Sequence, residues 1–194
     1  MATKIGIIGS GNVGGALMRG LQRAGYEVTA VGANKSANRD TAAWADVVIL
    51  AVPFGAVAGV ATEIADAVRG KVVVDATNAL DEKMALAVGY TTSGAEELQK
   101  KLPDARVVKT FNMVFAQHMD TGRLGDNQLT AFVAGDDAGA KGTALELARK
   151  IGFDAIDAGP LANARLLEPL GYLNIQLGYV LGLGTQIGFK LLRG

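Results

Sequence analysis

Along most of the chain, short unbroken apolar runs alternate with stretches whose apolar residues recur every three or four positions. Such runs, bounded by turn residues, read as strands covered on both faces, and the longer spacing reads as helix. Strands are predicted over 4–8, 27–31, 46–52, 71–76, 106–111, 130–134 and 153–158, with helices over 13–24, 56–68, 95–102 and 138–150. In the first helix Val13, Leu17, Leu21 and Ala24 share a face, Arg19, Gln22 and Arg23 lie opposite, and Gly25 stops the helix. The last opens after Gly135-Asp136-Asp137 and ends with Arg149 and Lys150, which suits the helix macrodipole at both ends. Strand and helix in alternation predict the α/β class, a doubly wound and mainly parallel sheet. Only 14 residues separate the second and third strands, too few for a helix plus a further strand, so the sheet is expected to be trimmed on that side.

Beyond residue 158 the pattern changes. From Pro169 to Phe189 there is no charged residue, and the length matches a membrane crossing of roughly 20 residues. Asn174, Gln176, Thr185 and Gln186 interrupt it, however, and Gly182-Leu183-Gly184 would break a helix near its middle. Leu166, Leu170, Leu173, Leu177 and Leu181 recur at helical spacing, which predicts a helix buried against the sheet or a partner subunit, opened or kinked at Pro169. The expected organisation is a domain over 1–158 and a small helical C-terminal extension over 159–194. The extension would form a dimer seam or a lid, with no membrane span.

Composition removes several kinds of chemistry. The chain has 194 residues with 19 basic and 19 acidic side chains, so no net field draws in nucleic acid, and no basic stripe is visible. With no cysteine and a single histidine, His118, disulfides, thiolate metal sites, multi-histidine metal sites and cysteine nucleophiles are excluded. His118 is expected at the surface or at a helix cap. No basic and hydrophobic leader precedes the first strand, so a cytoplasmic protein is expected.

The candidate chemistry lies in the turn after the first strand. Gly9-Ser10-Gly11-Asn12-Val13-Gly14 fits G-x-G-x-x-G between a strand and a helix, as dinucleotide binding requires. Gly9 would allow the tight reversal, Gly11 would leave the backbone open to a pyrophosphate, and Gly14 would let helix and strand pack closely. The free N–H groups of the helix would then bind the phosphates without a cationic side chain. At the end of the second strand, where an NAD site usually carries an acid, stands Gly32-Ala33-Asn34-Lys35-Ser36, with Arg39 close behind. This favours NADP(H), although Lys35 and Arg39 would also suit an ordinary solvated loop. Pro53, Phe54, Thr77, Asn78, Phe111, Asn112 and Met113 are expected along the rim formed by the carboxyl ends of the strands. Asn78 and Asn112 would fix a nicotinamide carboxamide or a ribose hydroxyl there, or else cap turns locally.

Three blocks together carry a resemblance. The turn from Gly9 to Gly15, the segment Val74-Asp75-Ala76-Thr77-Asn78 and the tail from Asp157-Ala158-Gly159-Pro160-Leu161 to Leu192 resemble the NADP oxidoreductases dependent on the deazaflavin coenzyme F420. The resemblance implies a Rossmann domain with a C-terminal extension that joins in dimer formation and covers the cofactor cleft. It also implies that Ser10, Asn12 and Val13 touch the pyrophosphate, that Asn34, Lys35, Ser36 and Arg39 meet the 2′-phosphate, and that Val52 and Pro53 flank the nicotinamide. Phe54, Phe111, Met113, Gly159, Pro160 and Leu161 would border the second substrate. The segment Lys109-Thr110-Phe111-Asn112 is more similar to the reductase domains of membrane metalloreductases.

The expected activity is hydride transfer between NADPH and a flavin-like acceptor, either the deazaflavin or FMN/FAD. Such a reaction needs distance, orientation and dryness rather than a nucleophile, and no catalytic residue is assigned. A nucleotide-binding sensor or redox-partner module without turnover is the alternative. A pyrroline-5-carboxylate reductase-like enzyme ranks lower, because only about 35 residues follow the last strand where that enzyme needs a long helical dimerisation domain.

Overall fold

Alternate side chains of the central strands enter two separate cores, and helices cover both. The computed structural model describes residues 3–32 and 34–194. In chain order these form β1 (Lys4–Ile8), α1 (Asn12–Arg23), β2 (Glu27–Val31), α2 (Lys35–Trp44), β3 (Val47–Leu50), α3 (Phe54–Ile64), β4 (Val72–Asp75) and α4 (Gly94–Lys101). There follow β5 (Arg106–Lys109), α5 (Ala116–Met119), the short hairpin strands β6 (Arg123–Leu124) and β7 (Asn127–Gln128), β8 (Thr130–Gly135), α6 (Ala138–Ile151), β9 (Asp154–Asp157) and α7 (Ala164–Ile175).

Seven strands make one sheet in the order β2-β1-β3-β4-β5-β8-β9. All neighbouring pairs are parallel except β5 and β8. Ile5 and Ile7 enter the core beneath α1 and α6, whereas Ile8, Val48 and Leu50 enter the one beneath α2, α3 and α4. Burial on both faces explains why these strands read as continuous apolar runs.

The 15 residues between β2 and β3 hold the ten-residue helix α2 and, among the described residues, no further strand, so β2 is the sheet edge. Residues 122–128 contain the short β6–β7 hairpin. The helix expected at 56–68 begins at Phe54 and tightens to a 3-10 turn over Ala65–Val68. His118 is buried rather than exposed, its Nε2 lying 3.0 Å from the Thr185 carbonyl oxygen, which also accepts from Gln117 Nε2.

The largest difference concerns α7. Its buried face is Ala164, Leu167, Glu168, Gly171 and Asn174, while Leu166 and Leu173 are exposed. The helix thus presents Glu168, Gly171 and Asn174 to the protein beside Ala164 and Leu167, and turns Leu166 and Leu173 outward. A π-helical turn, Gln176–Val180, ends it before Gly182 and Gly184, both at positive φ. The remaining tail lies beside β8 and β9, with Thr130 N donating to Phe189 O and Leu191 N donating to Thr130 Oγ1. No helix among the described residues is long and apolar enough to cross a membrane.

Candidate functional site

The β1–α1 turn is built as the glycine pattern requires. Gly9 has φ +114°, and a Cβ there would collide with the Ala51 carbonyl. A Cβ on Gly14 would collide with the Gly9 carbonyl, so the start of α1 sits directly against the turn. At Gly11, by contrast, a Cβ would meet nothing within 4 Å. Gly11 is the N-cap of α1 and offers no side chain to its first N–H groups. Gly9 N donates to Val31 O at 2.8 Å, which joins this turn to the end of β2.

Three adjoining hollows share Asn12. One, of about 510 Å³, is lined by Ser10, Gly11, Gly15, Arg19 and Gln117. The second, of about 400 Å³, runs past Val13, Val52, Pro53, Phe54, Thr77 and Asn78. The third, of about 200 Å³, lies between Asn78, Asn112, Met113, Gly171, Asn174 and Tyr179. Together they form a cleft along the carboxyl ends of β1, β3, β4 and β5. Such an end is where open α/β sheets bind ligands.

After β2, outside the lining of these hollows, the Asn34 side chain accepts from Ala37 N and Ser36 Oγ, and so caps α2. Lys35 and Arg39 are exposed and one helical turn apart, on one face of α2 rather than in a loop. Ala33 lies outside the described residues.

Beneath the cleft is an ionic cluster to which sequence reasoning gave no role. The Lys109 ammonium, fully buried at the end of β5, donates to Asp75 Oδ2 at 3.0 Å and to Thr77 O at 2.7 Å, and lies 3.0 Å from Glu168 Oε1. The other Asp75 oxygen accepts from Thr77 N and Thr77 Oγ1. Glu168 accepts from Gly94 N at 2.8 Å and Ala95 N at 3.1 Å, the first amides of α4. Burial pulls the Lys109 ammonium down, but Asp75 and Glu168 more than offset it and hold the group above the ordinary lysine value. It therefore stays charged throughout the neutral range.

Two further contacts dock α7 on the rim. Asn112 Nδ2 donates to Leu167 O at 2.8 Å, and Asn174 Nδ2 donates to Met113 O at 3.0 Å. Among the described residues, the side-chain oxygens of Asn78 and Asn112 are buried without a partner. Unmatched acceptors of this kind are uncommon in folded proteins.

The structure thus brings Gly11, Ser10, Asn12, Val13, Val52, Pro53, Phe54, Thr77, Asn78, Asn112 and Met113 to one cleft. Phe111, at φ +67°, instead packs on Phe153 in the core. Leu161 is buried in the opposite core. The reversed direction of β8, which β9 follows, carries Gly159 and Pro160 away from the rim, and Gly159 O accepts from Gly135 N. A lysine ending an apolar strand was the one visible sign of the ionic cluster.

Comparison with known proteins places this geometry in context. The family model described as NADP oxidoreductase, coenzyme F420-dependent, matches residues 4–37 and 29–79. The Metalloreductase STEAP3 of Rattus norvegicus is 30% identical over 182 residues, 87% of this chain but 36% of the metalloreductase. The chain therefore spans about a third of that relative's length. The F420-dependent NADP reductase of Methanocaldococcus jannaschii is 32% identical over 164 residues, covering 81% of this chain and 71% of the reductase. A crystal structure from Arthrobacter sp. FB24, described as a candidate F420-dependent NADP reductase, superposes with a TM-score of 0.90 at 30% identity, over 99% of this chain and 100% of that one. Similarity at this level runs through the glycine turn, the sheet and α7 alike, and the chain belongs to the coenzyme F420-dependent NADP oxidoreductase family.

Proposed function

We propose that this protein is an NADP(H)-dependent oxidoreductase that transfers a hydride between NADPH and a flavin-like acceptor, the deazaflavin coenzyme F420 or FMN/FAD. The observation that carries the reading is the uncapped start of α1 facing a continuous cleft, with Gly11 leaving room over its amides. A diphosphate suits that position, because free N–H groups and the positive end of the dipole favour an anion. The partnerless oxygens of Asn78 and Asn112 suit the NH₂ of a nicotinamide carboxamide. Lys35, Arg39 and Ser36 beside the capped start of α2 suit a 2′-phosphate.

In this reading Gly9, Ser10, Gly11, Asn12, Val13 and Gly14 hold the diphosphate, and Val52 and Pro53 support the nicotinamide ring. Phe54 and Met113 border the acceptor. The bound dinucleotide supplies the hydride, while the protein holds two rings in register and excludes water. No side chain acts as nucleophile or proton donor. The apolar lining of Val13, Val52, Phe54 and Met84 agrees with such a reaction.

Residues 159–194 act in this proposal as the cleft's outer wall and as the seat of a homodimer in the cytoplasm. Outward Leu166, Leu173, Leu181 and Leu183 support self-association, which sedimentation would test. A second reading, in which hydride passes to a separate redox protein, is favoured by exposed Tyr179 and Val180 at the acceptor end. Mixing the purified protein with NADPH and either deazaflavin or FMN tests the first reading, which expects loss of the nicotinamide absorbance band. Tight NADPH binding with no turnover on any free acceptor would favour the second.

A further inference from the structure

The residues of the ionic cluster and those of the nicotinamide end of the cleft are related by a constant offset. Asp75 precedes Asn78 by three residues, Lys109 precedes Asn112 by three, and Glu168 precedes Gly171 by three. Three different elements each place a charged residue in a buried layer and a cleft residue in the layer above it. The two layers are mechanically joined. Lys109 Nζ holds the carbonyl of Thr77 and Asp75 holds its amide and hydroxyl, so the residue leading into Asn78 is gripped on both sides. Asn112 donates to the carbonyl of Leu167, the neighbour of Glu168.

Gly171 completes the upper layer. A Cβ there would collide with the Asn112 amide nitrogen and lie 2.9 Å from both Asn112 O and Asn78 Oδ1. The approach of both amides therefore depends on a bare backbone at this point of α7. Stability alone does not account for the lower layer, since an apolar trio of similar volume is often as stable as a buried ion network. An apolar trio would have no donor for the Thr77 carbonyl and no acceptor for the first amides of α4.

We propose that Lys109, Glu168 and Gly171 are positioning residues, which set the height and orientation of Asn78 and Asn112 for the nicotinamide carboxamide. The inference rests on the reading of the cleft as an NADP(H) site. It makes α7 a fixed part of the cofactor pocket, where sequence alone left a lid or a seam. It also divides the nucleotide site in two, with the diphosphate held by α1 and the nicotinamide end depending on α7.

The test is calorimetric titration of the full chain with NADPH and with 2′-phospho-ADP-ribose, which lacks only the nicotinamide. Wild type, Glu168→Gln and Gly171→Ala are compared, with melting curves alongside. Gly171→Ala leaves the ionic layer whole and serves where Glu168→Gln is too unstable to purify. The expected result is an NADPH dissociation constant raised about tenfold or more in each variant, the cost of one or two misplaced hydrogen bonds. The fragment should change by less than about twofold. Equal weakening of both ligands, or a lowered melting temperature with NADPH affinity unchanged, overturns the positioning role and leaves the nucleotide reading intact. Failure of the wild type to bind either ligand overturns both together.

Discussion

Two helices of this protein begin at the same side of the sheet and treat their first amides in opposite ways. At α4, Ser93 accepts from Glu96 N and the Glu168 carboxylate accepts from Gly94 N and Ala95 N, so the helix start is closed by an anion from its own chain. At α1, the N-cap is Gly11 and no side chain closes the start. The electrostatics of the two ends are alike, because each presents free donors and a partial positive charge. The difference is whether a resident carboxylate is supplied. A helix start that the fold completes internally contributes to structure, and one left open over a cleft is available to a ligand.

Substitutions at the two ends should therefore fail in different measurements. The largest effect is expected for Lys109→Met, which leaves Asp75 and Glu168 buried without their cation. A loss of about 3–5 kcal/mol in denaturant unfolding is expected. A variant as stable as wild type would mean that the closed end is not held electrostatically. Next is Gly11→Asp at the open end. Gly11 has φ −71° and free space at its Cβ, so stability should stay within about 0.5 kcal/mol of wild type. NADPH affinity should nonetheless fall about 100-fold or more, because a fixed carboxylate then occupies the anion position. If affinity is retained in calorimetry, α1 is not the diphosphate site.

A smaller change is expected from Lys35→Ala combined with Arg39→Ala. Loss of two exposed cations should weaken NADPH about tenfold and leave NADH nearly unchanged. Equal effects on both nucleotides would remove α2 from the 2′-phosphate assignment. The smallest effect belongs to Arg165→Ala, which removes the outer of two ties between α7 and α4 and leaves Glu168 in place. Arg165 Nε donates to Glu96 Oε2 at 2.9 Å. That hydrogen bond is the main reason the Glu96 carboxyl is held below its ordinary value, with Ser93 and the nearby charges assisting against burial. The pair is partly exposed and screened by solvent, so its loss should lower stability at neutral pH much less than Lys109→Met does. A lowered carboxyl pKa stabilises above its unfolded value and loses that contribution as pH falls through the folded one. The deficit of Arg165→Ala should accordingly shrink as pH drops below 4.5, and a deficit independent of pH would show that the pair does not titrate as described.

The open end was legible in the sequence because all its parts are local. A strand, three glycines and a helix lie within Lys4–Arg23, and each glycine has a distinct steric reason. The closed end was not, because its partners lie far apart in the chain. Lys109 finds Asp75 at a separation of 34 residues, and Gly94 finds Glu168 at 74. Nothing in a single glutamate beside Pro169 distinguishes a buried anion from a solvated one. The leucines of α7 revealed a helix through their spacing, but periodicity does not say which face meets the sheet. Glu168, Gly171 and Asn174 claimed that side through specific bonds and a close approach. The mainly parallel sheet was legible from the alternation of strand and helix, but the one reversed strand was not, since an apolar run reads the same parallel or antiparallel. The reversal at β8 is what separated Gly159–Leu161 from the cleft.

The long reach between Glu168 and α4 also bears on how the protein comes into being. A ribosome adding roughly 5–20 residues per second would take several seconds to travel the 74 residues from Gly94 to Glu168. Until Glu168 is made, Lys109 has only Asp75 and the Thr77 carbonyl, and the first amides of α4 lack their carboxylate. The segment made first waits in an unfinished state, and a stretch made later completes its interior.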